Sequence, residues 1–442
     1  MKEIFGKFSY DNNEYAFAYK DYVITIISAG YEYAGELINK ECDEILFGIT
    51  NENSHIMFFG CEFHRSYFLE IPTHIITQGV IVINCQDKPN ERELFDSVSF
   101  YSPAINNFYP PQNAAKLHRN NDFSIELKDK EDCTRKIRID NYELVFGFYY
   151  LNKLDPQSND LLNCTPCITF KFDKTVGINE LKECYIKLTN FLAFVNFNRN
   201  IPFDKITIAK HSDGHIANSG ICYMNSKSEG YKNKKGKAIL ANLFDDDELA
   251  LLFKQVSNNT DIKKHYYIPK SLENIHGFNH SDLLLCSTCF EAVFKECYPD
   301  FKAEKNINFD RVKKDYLTFA NNYLESKAST KEQKKYAKKF YDQIYNYDGR
   351  LEEIFNAAIK KHNYELSDFE EKLKMQIKVS TTNYGSLYAE IRNHFAHGSF
   401  FELGDNEIFI YELLHALLYA MNLKTASISQ KKSKEIIGII FA

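Results

Sequence analysis

The chain has 442 residues, too many for one ordinary compact core, so two or three domains are expected. With 44% apolar and 26% charged residues the composition excludes wholesale disorder, and a net charge of −6 does not by itself announce a nucleic-acid binder. Trp is absent while Phe (36) and Tyr (29) abound, so the cores must be built on Phe, Tyr, Ile and Leu. The opening MKEIFGKFSYDNNEY lacks the apolar stretch of a signal peptide, and no apolar run of about 18 residues suggests a membrane span. The eleven Cys residues are therefore expected as reduced thiols in a cytoplasmic protein with no membrane partner.

The first half reads as β. Segments 22–27, 74–84, 137–148 and 167–172 are short, rich in Ile, Val, Phe and Tyr, and separated by Asn, Asp, Gly and Pro clusters. Alternation is clearest where Ile168, Phe170 and Phe172 fall on one face. Residues 1–210 are expected to form a β-rich regulatory or sensing domain, a sandwich or open barrel. One helix is expected at 179–195, where Leu181, Tyr185, Leu188, Leu192 and Val195 recur at helical spacing.

Residues 211–244 read as a basic linker or insertion, with Lys227, Lys232, Lys234, Lys235 and Lys237 in one run. Gly230 to Gly236-Lys237 is a near miss to a phosphate loop. The spacing is one residue too long, and Ala238 stands where Ser or Thr belongs. From about 245 to 442 the period is helical, with helices expected at 246–256, 280–298, 309–327, 330–346, 349–362, 367–379, 384–397 and 406–424, the last capped by Asp405. The lysine-rich stretch 309–346, with Lys331, Lys334, Lys335, Lys338 and Lys339, looks like an amphipathic hairpin partly facing solvent.

The most informative segment is YAEIRNHFAHGSFF, 388–401. Tyr384, Leu387, Tyr388, Ile391 and Phe395 form one apolar stripe. At 100° per residue Asn393 and His397 share a face, whereas Arg392 and His397 converge only if the helix ends at His397. Gly398 supplies that ending, and the negative end of the helix dipole favours an imidazolium there. The set suits RNA cleavage by a neighbouring 2′-hydroxyl. His takes or gives the proton, and Arg stabilises the crowded phosphate. The plainer alternative is a helix terminus stabilised by a His, with Arg392 a surface residue.

Arg392-Asn393-x3-His397 followed by Gly398 resembles the HEPN ribonuclease motif. The β-then-α order resembles ApeA-type HEPN proteins, a bacterial antiphage group, over nearly the whole chain. The helix LLLCSTCFEAVFKE is similar to the early HEPN helix that carries a Glu, here Glu291. The resemblance implies an endoribonuclease effector of antiphage defence, with tRNA among the RNA substrates, a phage-derived trigger and no cofactor. Arg392 would neutralise the scissile phosphate, Asn393 orient it, and His397 act as acid or base. Glu291 would orient Arg392 or His397, unless it merely pairs with Lys295 one turn on. His394 matches no required position. A homodimer is implied, with two His397 facing one basic cleft lined by the 331–339 or 227–237 lysines. HEPN proteins paired with nucleotidyltransferases carry a Tyr where this chain has Ser399.

Two further readings belong to other classes. One is a non-catalytic HEPN-like module that binds a protein or RNA partner. The other is a zinc-dependent interaction protein using Cys164/Cys167 and Cys286/Cys289, although the second pair sits in an apolar helical stretch where Cys packs as a small hydrophobe.

Overall fold

The computed structural model describes residues 3–10, 13–27, 45–64, 74–85, 88–119, 123–129, 131–150, 164–225, 237–257, 267–269, 280–301, 307–326, 329–346, 350–379, 382–396 and 404–441. The chain divides into two compact units: Met1–Thr260 with Ile268–Ile275, and Asp261–Tyr267 with His276–Ala442. A β-rich region is thus followed by an all-helical one, as the periodicity predicts.

The first unit is organised around β6 (His74–Asn84). One edge of β6 pairs along its length with β5 (His55–His64). The other edge is divided. Its first residues pair with β3 (Val23–Ile27), and Gly79 to Asn84 pair with β14 (His215–Met224). The β3 side continues through β2 (Asn13–Lys20), β1 (Ile4–Tyr10) and β4 (Leu46–Thr50) back to β5, closing a ring of six strands. Phe8, Phe17, Tyr19, Ile24, Phe58 and Val80 fill it. The barrel is therefore closed rather than open, because β6 is long enough to serve both neighbours.

The β14 side continues through β13 (Lys205–Ser212), β7 (Phe95–Tyr101), β12 (Cys164–Val176) and β11 (Tyr142–Tyr150) to β10 (Arg135–Ile139), and every pairing is antiparallel. A small hairpin of β8 (Ala115–Arg119) and β9 (Phe123–Leu127) stands apart from this sheet. Three helices belong with the sheet: α1 (Pro103–Phe108), α2 (Ile178–Asn196) and α3 (Asp246–Ser257). The rings of Phe108, Phe191, Phe253 and Phe170 meet at centroid distances of 5.1–6.1 Å and cement the layer. Arg135 ties β10 to the start of α3, donating to the carbonyls of Ala241 (2.7 Å) and Phe244 (2.8 Å) and pairing with Asp246.

Two features differ from the expected boundaries. Residues 215–224, within the stretch read as linker, form β14. Their polar Asn218-Ser219-Gly220 hides a strand whose Cys222 is buried. The switch to helical period at 245 is real, but α3 packs on α2 and β10, inside the first unit.

The second unit contains α4 (His280–Cys297), α5 (Ile307–Glu325), α6 (Lys331–Asn346), α7 (Arg350–Lys361), α8 (Asn363–Gln376), α9 (Tyr384–Ala396), α10 (Asp405–Thr425) and α11 (Gln430–Phe441). Helix α10 is the axis of the bundle: from Phe409 to Leu423 every residue except Glu412 is buried, so this is a helix apolar all round. It packs on α4, α8, α9 and α11. Its N-cap is Gly404, whose N–H donates to Glu407 Oε2 at 2.9 Å, so Asp405 is the first helical residue and not the cap. No helix among the described residues is long and apolar enough to cross a membrane.

Candidate active site

Asn383 precedes helix α9, and its side-chain oxygen accepts the N–H of Ser386 at 3.2 Å. Two residues on, Gly385 lies against α7. Its N–H donates to Asn356 Oδ1 at 2.9 Å, and a Cβ there would lie 2.3 Å from the carbonyl oxygen of Glu352. Only Gly permits so close an approach. Beyond it the expected stripe is inside: Tyr384, Leu387, Tyr388 and Ile391 are buried. The Tyr388 ring stacks on Phe355 of α7 (4.5 Å) and meets Phe290 of α4 edge-on (5.5 Å). Phe395 falls where side chains are not described.

This packing fixes the rotation of α9, and with it Arg392. One turn above Tyr388, the guanidinium turns towards α4, where Nη2 donates to Glu291 Oε1 at 3.4 Å. Of the three partners expected for Glu291, Arg392, His397 and Lys295, the structure provides Arg392, while His397 lies outside the described residues. The bond is long for a charged pair, which ordinarily closes to about 2.8 Å. Both groups are part-exposed (31% and 39%), and the Arg392 Nε is buried without a hydrogen-bond partner. A guanidinium has five donors, so most of its capacity remains uncommitted.

Below it lie Tyr388 and Ser287, one turn back on each helix. Burial pushes the Tyr388 phenol well up; the Glu291 charge adds to this, while Ser287 and Arg392 oppose it. The phenol therefore stays neutral and forms the floor beneath the arginine. The apolar periodicity marks Tyr388 only as core. Tyr388/Arg392 and Ser287/Glu291 are each spaced i,i+4 on their helices, and the Tyr388 hydroxyl is buried without a hydrogen-bond partner.

Asn393 and His394 are exposed, and His394 Nε2 lies 4.0 Å from Glu390. The structure thus brings Arg392 and Glu291 together and leaves Asn393 facing solvent. His397, Gly398 and Ser399 lie outside the described residues, as do Gly230, Gly236 and the lysines from 227 to 235. The 331–339 lysines lie on α6 and, apart from the half-buried Lys334, are exposed.

The cysteine pairs are placed by their elements. Cys164 and Cys167 sit three apart on β12, hence on opposite faces, with Cys164 buried. Cys286 and Cys289 are buried in α4. Among the described residues no group of three or more Cys, His, Asp or Glu side chains is gathered to hold a metal ion.

No family model, curated protein or solved structure matches this chain.

Proposed function

We propose that the chain is an endoribonuclease whose site is centred on Arg392, with Asn393 and His397, and that it needs no metal. The observation that carries this reading is the loosely held, largely uncommitted guanidinium of Arg392, aimed by Glu291 near the C-terminal end of a helix whose next residues include a histidine. A phosphate diester offers the oxygens that such a fork matches. His397 supplies proton transfer near neutral pH, and the adjacent 2′-hydroxyl is the nucleophile. Glu291 is a positioning residue: it holds Arg392 without touching the substrate. The substrate is RNA, tRNA among the candidates, and a cytoplasmic role in antiphage defence, with the β-rich unit receiving a phage-derived trigger, is the setting we favour.

The test is cleavage of total RNA by purified protein in the presence of EDTA. The expected products carry a 2′,3′-cyclic phosphate and a 5′-hydroxyl, and a single 2′-deoxy nucleotide at the cut site blocks cleavage there. Products ending in 5′-phosphate, or activity abolished by EDTA, contradict the mechanism.

A further inference from the structure

Helices α5 and α6, five residues apart in the chain, pack chiefly on each other, and among their described residues only Ala320 is buried. Thr330 caps α6: its hydroxyl accepts the N–H of Gln333, whose side chain returns the bond to the Thr330 N–H. The less exposed positions, Lys313, Leu317, Ala320 and Leu324 on α5 with Lys334, Ala337, Tyr341 and Ile344 on α6, form the seam of an antiparallel pair.

A second face is apolar and exposed, with the Lys339 ammonium at its border lying 5.8 Å from the Tyr336 ring centroid. At 100° per residue Val312, Tyr316, Phe319 and Tyr323 make one narrow stripe on α5, about a quarter turn from the seam. Tyr336 and Phe340 stand about a quarter turn from the seam on α6. Because the helices run in opposite directions, both stripes point to the same side of the hairpin. Their exposure is high, reaching 68% for Phe319 and 61% for Phe340. Together the six expose roughly 600 Å², the upper end of what a monomer's largest apolar patch reaches. Lys331, Lys335 and Lys338 lie on the opposite side, so the apolar face has no row of cations with which to follow a phosphate backbone.

We infer that this face docks against the same face of a second copy of the chain, forming an antiparallel four-helix bundle about a two-fold axis that runs along the helices. Two points favour a second copy. Doubling the face buries about 1,200 Å², the size at which specific protein interfaces begin. The rim is also self-complementary. The outer border of the stripe carries Asp315 on α5 and Glu332 and Lys339 on α6, and of these Asp315 and Lys339 stand at nearly the same height along the hairpin, with Glu332 nearer its closed end. The two-fold operation sets α5 against the copy's α6, and so sets each Asp315 beside a Lys339 of the other copy. The inference does not rest on the ribonuclease reading, and its test has no nuclease readout.

Sedimentation velocity of the full chain over about 1–50 µM should show a reversible dimer. Phe319→Glu combined with Phe340→Glu should raise the dissociation constant at least 100-fold with the helical circular dichroism unchanged. Asp315→Lys or Lys339→Asp alone should weaken the dimer several-fold, and the two together should restore it. In the wild type, amide exchange in α5 and α6 should slow as concentration rises, a measurement that needs no variant. A wild type that stays monomeric throughout, or a double Glu variant that dimerises normally, overturns the inference. So does a variant that loses RNA binding with its self-association intact, since the face would then serve RNA.

Discussion

Arg392 and His415 show two ways in which a single ionisable side chain is used in the helical unit. Arg392 is held by one long bond and keeps donors in reserve. Arg392→Ala and His397→Ala should each lower RNA cleavage by about 100-fold or more, the size of a lost charge stabiliser or proton carrier. Glu291→Ala should cost less than about 1 kcal/mol in stability, since the pair is part-exposed, while reducing turnover; activity equal to wild type would remove its positioning role. His415 is the opposite case. It is fully buried in α10, its Nδ1–H donates to the Tyr411 carbonyl at 2.8 Å, and Cys286 Sγ lies 3.5 Å from Nε2. Burial pulls its pKa down from 6.5 to about 4. The unfolded chain therefore takes up a proton that the folded one refuses. The stability contribution is whole above about pH 6.5 and is lost as pH falls towards 4, amounting to roughly 3 kcal/mol. His415→Gln should flatten that slope in urea titrations between pH 7 and 4; an unchanged slope would place the acid sensitivity elsewhere.

At the scale of elements, Gly385 is where α9 meets α7. Gly385→Ala must push α9 away from the Glu352 carbonyl, at about 1–3 kcal/mol, and should lower cleavage along with the denaturant midpoint because Arg392 moves with the helix. A variant with the wild-type midpoint would show that the contact relaxes freely. The same helix shows what the sequence reveals. Its apolar stripe predicts the buried face correctly, since side-chain period alone decides which way an amphipathic helix turns. The Glu291–Arg392 pairing is not legible from periodicity, because it depends on how two helices distant in sequence are aligned. Other elements are obscured by local chemistry. The 137–148 run looks like one strand but is β10 and β11, folded at Asp140, which takes the left-handed conformation (φ 43°). Helix α11 is hidden by the lysines of its first turn, although Ile436, Ile437 and Ile440 are buried. The closed barrel is illegible for another reason. Alternation marks a strand's two faces and says nothing of how its two edges are shared.

At the scale of the whole molecule, the two units differ in the buried ionisable groups they carry. The helical unit holds His415 and, at the α7–α8 junction, the fully buried His362, whose ring bonds Tyr298 Oη (2.7 Å) and Glu365 Oε1 (3.2 Å). Burial lowers the His362 pKa, with Glu365 opposing, so its stabilisation also fades as pH falls below about 6.5. Between pH 6.5 and 4 the helical unit should therefore loosen first. Hydrogen exchange followed by mass spectrometry should show protection lost in α4, α8 and α10 while β6 and β7 stay protected; simultaneous loss in both units would mean that they respond to acid as one.

The divided edge of β6 has a consequence for how the chain behaves in a crowded solution. A strand with an unpaired edge invites another chain to add to it, the common first step of aggregation. Ring closure uses up the edges at one end of the twelve-stranded sheet, leaving β10 as its terminal strand. That border is short, carries Arg135, Lys136 and Arg138, and has α3 packed against it. The terminal border of the large sheet is thus guarded against growth by strand addition.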